Sequence, residues 1–167
     1  LLVRYPGKIR KGFVVNEFTE HVDVTATIAD LMNLGPVPGQ HGQSLRPYLE
    51  GKRPQLPRTT IMSQYLENEE VYAASARWKL ILGSGKRKRT DGYETSNPTP
   101  GRYVKLFDRK SDPGEFHNVA EKHPEVVDSM RDGILARYRA THPDAAREPS
   151  RLPAPEAIDY YVVPRDA

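Results

Sequence analysis

The segment Lys105–Ala120, KLFDRKSDPGEFHNVA, constrains the fold of this chain more than any other stretch. Its apolar opening predicts the end of a β-strand. Asp112 then precedes Pro113, and Glu115 follows, which is the pattern of a helix N-cap, a first-turn proline and a carboxylate that reaches back to the cap. A second helix start is predicted at His123-Pro124. The segment therefore predicts a strand followed by two short helices, and it contains no evident chemistry.

Two longer segments have the apolar periodicity of amphipathic helices. They are Asp23–Asn33 and Pro124–Tyr138. In the first, the residues expected to face a core are Val24, Ile28, Leu31 and Met32. In the second, they are Val127, Met130, Ile134 and Tyr138.

Several shorter runs predict strands. Residues 1–4, LLVR, form an unbroken apolar run that suits a strand buried on both faces, and Phe13–Phe18 is a second short candidate. Residues 57–82 predict two or three strands around Trp78, and residues 102–108 predict the last one. From Thr141 onward the chain is rich in proline, so we expect an extended tail in which 158–163 either adds an edge strand or docks on a neighbour.

Composition excludes some kinds of site. The chain has no cysteine, which rules out disulfides, thiolate metal sites and a cysteine nucleophile within it. Its net charge of +3, from 25 basic and 22 acidic residues, is too small an excess to indicate a polyanion partner. The basic run Lys86–Arg89 is interpreted as a solvated loop tip, with a patch for nucleic acid or another anionic polymer as the alternative. No apolar run is long enough to span a bilayer.

The histidines do not predict a catalytic or metal site. No two of them have the close spacing of a metal-binding pair on a helix, and the chain lacks a Gly-x-Ser-x-Gly elbow. We therefore expect caps, loop positions or core edges for all of them. They are His21, His41, His117, His123 and His142.

Four segments, taken in order, resemble successive blocks of the sulfatases, in the alkaline-phosphatase-like superfamily. They read LLVRYPGKI, HVDVTATIADL, GQSLRPYLEG and LFDRKSDPGEFHN. The third is close to the family pattern G-x-S-L-x-P-x-L-x-G, and the fourth to LYDL-x-x-DP-x-E-x-x-N-L. Ala26 stands where proline is usual, Phe107 replaces tyrosine and Val119 replaces leucine. A further piece, ARWKLI, resembles a family strand often preceded by an arginine, whose position is here Ala74.

The resemblance implies an α/β, alkaline-phosphatase-like fragment. Residues 1–56 would carry the last strand and helix of the large domain. Residues 57–141 would form a small antiparallel sheet packed with a C-terminal helix, and residues 142–167 the proline-rich tail.

The resemblance also implies hydrolysis of sulfate esters by a formylglycine nucleophile with calcium. Those groups would lie upstream, in a missing N-terminal domain that is this chain's expected partner. The chain itself would hold no catalytic residue and no metal ligand, and it would be inactive alone. Its expected contribution is one wall of a pocket for a sulfated small molecule or sugar, formed by Ser63, Gln64 and Tyr65.

Two alternatives remain open. One is a phosphonate or phosphate monoester hydrolase of the same superfamily. The other is a non-catalytic basic interaction module that uses Lys86–Arg89 and the proline-rich tail. Neither a nucleic-acid nor a membrane partner is expected, and the compartment stays unassigned, with a periplasmic or secreted location slightly favoured by the resemblance.

Overall fold

The chain divides into two compact units, Leu1–Ile61 and Met62–Ala167. A computed structural model describes residues 1–52, 58–65, 69–85, 101–149 and 152–163. The basic run Lys86–Arg89 lies outside the described residues. Within the described residues, no helix combines the length and the apolar composition needed to cross a bilayer.

The first unit contains two helices, α1 (Val22–Leu31) and α2 (Arg46–Leu49). The strands predicted for residues 1–4 and Phe13–Phe18 were wrong, because both segments are irregular. A strand needs backbone partners, and in the described part of this unit neither segment has a ladder.

Helix α1 was predicted correctly, but the prediction of its buried face was wrong. The side chains that are buried are small or polar, namely Asp23, Ala26, Thr27 and Ala29. Thr27 Oγ1 accepts a hydrogen bond from the backbone N–H of Leu45 at 2.9 Å. Gly42 lies so close to α1 that a Cβ there would overlap the carbonyl of Val22. Because the backbone at Gly42 lies this close to the helix, the side of α1 with small and polar side chains packs there, and the side with bulky aliphatic side chains does not.

The second unit is built on a four-stranded sheet. Its strands are β1 (Thr60–Tyr65), β2 (Glu70–Ser75), β3 (Trp78–Gly83) and β4 (Tyr103–Asp108), in the order β1-β2-β3-β4. The pairs β2–β3 and β3–β4 are antiparallel, with Leu80 opposite both Ala73 and Leu106. The small antiparallel sheet predicted for this region is confirmed.

Two helices bury one face of this sheet, α3 (Pro124–Thr141) and α4 (Ala154–Val162). The predicted start of α3 at Pro124 is confirmed, and Val127, Ile134 and Tyr138 of its predicted stripe are buried, with Met130 packed beside them. Tyr138 and Tyr161 stack between α3 and α4, with ring centroids 4.7 Å apart. The core of the second unit therefore lies between the sheet and these two helices.

The extended tail and edge strand predicted near the C-terminus were wrong, since Ala154–Val162 is helical. Its aromatic and β-branched residues favour a strand on propensity alone. However, Ala157, Ile158, Tyr161 and Val162 recur at the spacing of one helix face, and all four are buried in the core. Burial of that face overrides the local propensity.

The first of the two short helices predicted after β4 was also wrong. Residues 112–118 are irregular apart from a turn at 113–114, and a single 3-10 turn at Ala120–Lys122 precedes α3. Asp112 accepts a hydrogen bond from the backbone N–H of His117 at 2.8 Å. Glu115 has a positive φ of 57°, which a helix does not tolerate. Its carboxylate binds Lys79 at 2.5 Å instead of reaching back to the cap.

Candidate functional site

The sheet of the second unit has a second face, opposite the core. Because side chains alternate along a strand, and because Val71, Leu80 and Leu106 lie in the core, their neighbours in sequence point the other way. This second face carries Tyr72, Lys79, Ile81, Tyr103 and Lys105. It is the surface to which the predicted substrate-binding strand belongs.

The structure separates the three predicted substrate-binding residues of β1. Gln64 points toward the helices, where its Nε2 donates to the carbonyl of Tyr161 and its Oε1 accepts from the hydroxyl of Tyr138, both at 3.1 Å. Ser63 and Tyr65 therefore share the second face, and both are exposed, Tyr65 by 43%. Their predicted contact with substrate stays a prediction, while Gln64 is held by α3 and α4.

Two lysines of the second face lie against tyrosine rings. Lys79 Nζ is 5.5 Å from the ring centroid of Tyr72, and Lys105 Nζ is 5.1 Å from that of Tyr103. An ammonium group at this distance is attracted by the ring quadrupole, so the tyrosines hold both cations over the sheet. The face thus offers aromatic surface and hydrogen-bond donors, and among its described residues no nucleophile lies beside a base that would activate it.

Two carboxylates pair with a lysine and a tyrosine of that face. Glu115 binds Lys79, and Glu70 accepts a hydrogen bond from the hydroxyl of Tyr103. Burial raises the pKa of Tyr103, and the hydrogen bond and charge of Glu70 raise it further, so this phenol stays protonated. The protonated phenol is therefore engaged as a hydrogen-bond donor to Glu70.

The residues that carry the sequence resemblance in this unit have structural roles. Arg77 of the ARWKLI piece donates to Asp108 of the LFD piece at 2.8 Å and stacks over Trp78 at 4.5 Å. The hydrogen bond from Arg77 lowers the pKa of Asp108 to about 2, so the pair stays ionised at neutral pH. Ala74 is buried, so this position carries no guanidinium group.

The first unit contains a buried ion pair that the sequence interpretation did not identify. Asp23 is fully buried and binds Arg58 through both of its oxygens, with a distance of 2.9 Å from Oδ1 to Nη2. Asp23 also accepts backbone hydrogen bonds from Glu20 at 2.7 Å and Gln43 at 2.9 Å. Burial raises the pKa of Asp23, but the hydrogen bonds from Arg58 and these backbone groups outweigh it, and the net shift is downward.

Only the position of Asp23 near a helix start gave a sequence signal for this pair. Asp23 lies in the first turn of α1, and its carboxylate accepts the N–H of Glu20, which precedes the helix. Nothing in the sequence indicates a role for Arg58, because Arg58 and Asp23 are 35 residues apart in the sequence. The pair joins two distant segments of the unit and makes no contact that indicates catalysis.

The five histidines differ in burial and in their contacts. Within the described residues, no group of three or more histidine, aspartate, glutamate or cysteine side chains is placed to hold an ion. His21, His41 and His117 are exposed. His123 packs on Trp78, with ring centroids 5.0 Å apart, and His142 contacts Tyr161 at 5.1 Å.

A small pocket between the beginning of β4, α3 and α4 is lined by apolar side chains and two arginines. Arg102 binds both Asp159 and Glu156, and Arg131 binds Asp128 at 2.7 Å. Since both guanidinium groups have carboxylate partners, the pocket is not arranged to attract an anion.

The sequence of this chain is similar to those of known proteins. Residues 1–139 match the family described as N-sulphoglucosamine sulphohydrolase, C-terminal. Arylsulfatase K of Gallus gallus is 33% identical over 138 residues, which are 81% of this chain and 24% of that protein. N-acetylgalactosamine-6-O-sulfatase of Bacteroides thetaiotaomicron is 28% identical over 134 residues, 78% of this chain and 25% of that protein.

The fold is also similar to that of solved structures. The phosphonate monoester hydrolase of Silicibacter pomeroyi superposes with a TM-score of 0.62 over 87% of this chain and 29% of that chain, at 23% identity. The chain therefore spans about a quarter of the length of the curated relatives it matches.

Proposed function

The chain belongs to the C-terminal family of the N-sulphoglucosamine sulphohydrolases, and from this premise we propose that the longer protein containing it hydrolyses sulfate esters. The family match over residues 1–139 is the observation that carries the proposal. It includes all four sequence blocks that resemble sulfatases, in their order along the chain. The similarity to phosphonate monoester hydrolases at 23% identity bears on the fold alone.

We assign the chemical step to the part of the protein upstream of this chain. A sulfatase of this superfamily would supply a formylglycine nucleophile and a calcium ion there. The proposal is supported by the sequence blocks, which contain neither a nucleophile motif nor a cluster of acidic metal ligands. If the chemical step takes place upstream, the upstream domain is the partner of this chain, and the chain alone is inactive.

The proposed contribution of this chain to binding is the second face of its sheet. Ser63 and Tyr65 would contact the substrate on the same face of the sheet as Lys79 and Lys105, while Gln64 keeps β1 attached to the helices. A relative named N-acetylgalactosamine-6-O-sulfatase supports a sulfated sugar as the substrate class. Tyrosine faces and lysine donors are suited to a sugar ring that carries an anionic group.

The test is an assay of the longer protein on three kinds of substrate. It should release sulfate from an aryl sulfate or from a sulfated sugar, while residues 1–167 alone should release none. Hydrolysis of phosphonate or phosphate monoesters without sulfate release would favour the alternative hydrolase. No hydrolysis at all, together with salt-sensitive polyanion binding that is lost when Lys86–Arg89 are neutralised, would favour an interaction module.

The role of β1 is tested in the active protein by Ser63→Ala and Tyr65→Ala. Both should raise KM severalfold with little change in kcat, as expected when binding that is equal in ground and transition states is removed. Thr60→Ala is the matched control, because Thr60 is an exposed residue of the same strand. An unchanged KM in both variants would show that β1 does not contact the substrate. It would not contradict the proposal that the longer protein is a sulfatase.

A further inference from the structure

The side chain of Gln64 joins β1 to both α3 and α4. Its Nε2 donates to the backbone carbonyl of Tyr161 in α4, and its Oε1 accepts from the hydroxyl of Tyr138 in α3, both at 3.1 Å. A carbonyl oxygen can only accept a hydrogen bond, so its position fixes which end of the amide faces α4. Glutamine binds both partners at once because its amide carries a donor and an acceptor.

The carbonyl that Gln64 binds belongs to the last turn of α4. That helix ends at Val162, and the last four carbonyls of an α-helix have no N–H partner within the helix. The side chain of Gln64 therefore caps the C-terminal end of α4. The family match ends at residue 139, so it assigns no role to α4, which begins at Ala154.

The strand that carries Gln64 lies at an edge of the sheet. Strand β1 has a neighbouring strand, β2, on one side only, so its backbone opens more readily than that of a central strand. Met62 and Gln64 share the core face of β1, and Met62 packs against the core of the second unit. Gln64 adds two directional contacts, which fix the position of the backbone at residue 64.

We infer that Gln64 is a positioning residue for substrate binding, which acts through Ser63 and Tyr65 and is itself held by α3 and α4. The inference rests on the proposed function, in which Ser63 and Tyr65 contact the substrate. These two residues flank Gln64 and point to the opposite face of the sheet, so the backbone that Gln64 fixes also carries both side chains. Binding weakens when a group that positions the substrate is displaced even slightly.

The test compares KM and kcat for sulfate release by the longer protein. Gln64→Met nearly keeps the size of the side chain but removes both amide hydrogen bonds. It should raise KM about two- to tenfold, the factor that corresponds to one ordinary hydrogen bond, with little change in kcat. In a protein that already carries Ser63→Ala and Tyr65→Ala, Gln64→Met should raise KM no further, because it acts through those two side chains.

Asn118→Ala is the matched control. The side chain of Asn118 also makes hydrogen bonds to the sheet, with the N–H of Leu106 and the carbonyl of Val104, but on β4 at the opposite edge. Its loss should destabilise the second unit and leave KM unchanged. Three results would overturn the inference: an unchanged KM in Gln64→Met, an equal rise whether Ser63 and Tyr65 are present or replaced, and an equal rise in Asn118→Ala.

Hydrogen exchange in the longer protein gives a second measurement that does not need catalysis. In Gln64→Met the backbone amides of Ser63 and Tyr65 should exchange faster than in the wild type, because the edge strand opens more often. In Asn118→Ala these amides should exchange at close to the wild-type rate. Unchanged exchange in Gln64→Met would contradict the inference, whereas faster exchange in a protein that releases no sulfate would contradict the proposed function only.

Discussion

The side-chain oxygen of Asn118 accepts a hydrogen bond from the backbone N–H of Leu106 at 2.9 Å, on the side of β4 that has no neighbouring strand in the sheet. The amide nitrogen of Asn118 donates to the carbonyl of Val104 at 3.0 Å, and the N–H of Val119 donates to the carbonyl of Leu106 at 2.8 Å. One side chain and one peptide group thus occupy the edge where another strand would pair. Unpaired edges invite association between molecules, and this arrangement blocks it.

Asn118→Ala should destabilise the second unit by about 1 kcal/mol, because it leaves the N–H of Leu106 and the carbonyl of Val104 without their partner. It should also increase self-association, since the edge of β4 is then open. Urea denaturation and analytical ultracentrifugation measure the two effects. His117→Ala is the control, as that side chain is exposed beside Asn118. Equal stability and equal sedimentation of the two variants would show that the edge contact is dispensable.

Asp23→Asn should destabilise the first unit by about 3 kcal/mol at neutral pH. The change removes the carboxylate that binds two guanidinium nitrogens of the nearly buried Arg58, and it leaves Glu20, 3.4 Å from Arg58 Nε, as the remaining counter-charge. Asp30→Asn, on the same helix, should cost less than about 1 kcal/mol, because its ion pair with Arg46 is partly exposed. Chemical denaturation followed by a probe in the first unit measures both variants. Similar losses in the two would mean that burial does not strengthen the Asp23 pair.

The same pair predicts a pH dependence with a definite sign. The pKa of Asp23 is lowered in the folded protein, so the unfolded chain binds its proton first as the pH falls. The stability from Asp23 is therefore fully present above its unfolded pKa of about 3.9, and it is lost as the pH falls through the lower folded value. The stability difference between wild type and Asp23→Asn should be constant above about pH 5 and shrink in more acidic buffer. A difference that widened on acidification would contradict this sign.

Gln64→Ala should reduce the stability of the second unit by about 1–2 kcal/mol, because the carbonyl of Tyr161 and the hydroxyl of Tyr138 both lose a partner. Ser63→Ala, one position earlier on the opposite face, should change stability by less than about 0.5 kcal/mol. Thermal unfolding of the two variants gives the comparison. A larger loss for Ser63→Ala would mean that Gln64 does not anchor β1 to the helices.

The sequence predicted best where local signals and burial agree. Helix α3 combines a proline start, one apolar stripe and a core that buries that stripe, and its interpretation was correct. The strands β3 and β4 likewise follow from apolar runs, and the resemblance to sulfatases in the four blocks is confirmed by the family match. In these elements propensity, pattern and packing point to the same structure.

The wrong predictions concern features that depend on contacts between residues far apart in the sequence, which a local sequence pattern does not reveal. The periodicity of α1 located the helix, but Leu45 and Arg58, far along the chain, decide which side is buried. In α4, β-branched and aromatic residues indicated a strand, and only the surrounding core selects the helix. Of the candidate site, the sequence located β1, but the face that each residue of β1 occupies depends on the partners of Gln64.

Two glycines of the second unit should respond in opposite directions to replacement by alanine. At Gly83 a Cβ would overlap the ring of Tyr103, whose hydroxyl binds Glu70. Gly83→Ala should therefore displace that ring and cost about 1–3 kcal/mol. At Gly133, on the exposed side of α3, a Cβ would meet no atom within 4 Å. Gly133→Ala should stabilise the unit by about 0.4–1 kcal/mol, because alanine loses less backbone entropy on folding. Urea denaturation of both variants decides the matter, and a stabilised Gly83→Ala would show that the ring of Tyr103 moves aside without cost.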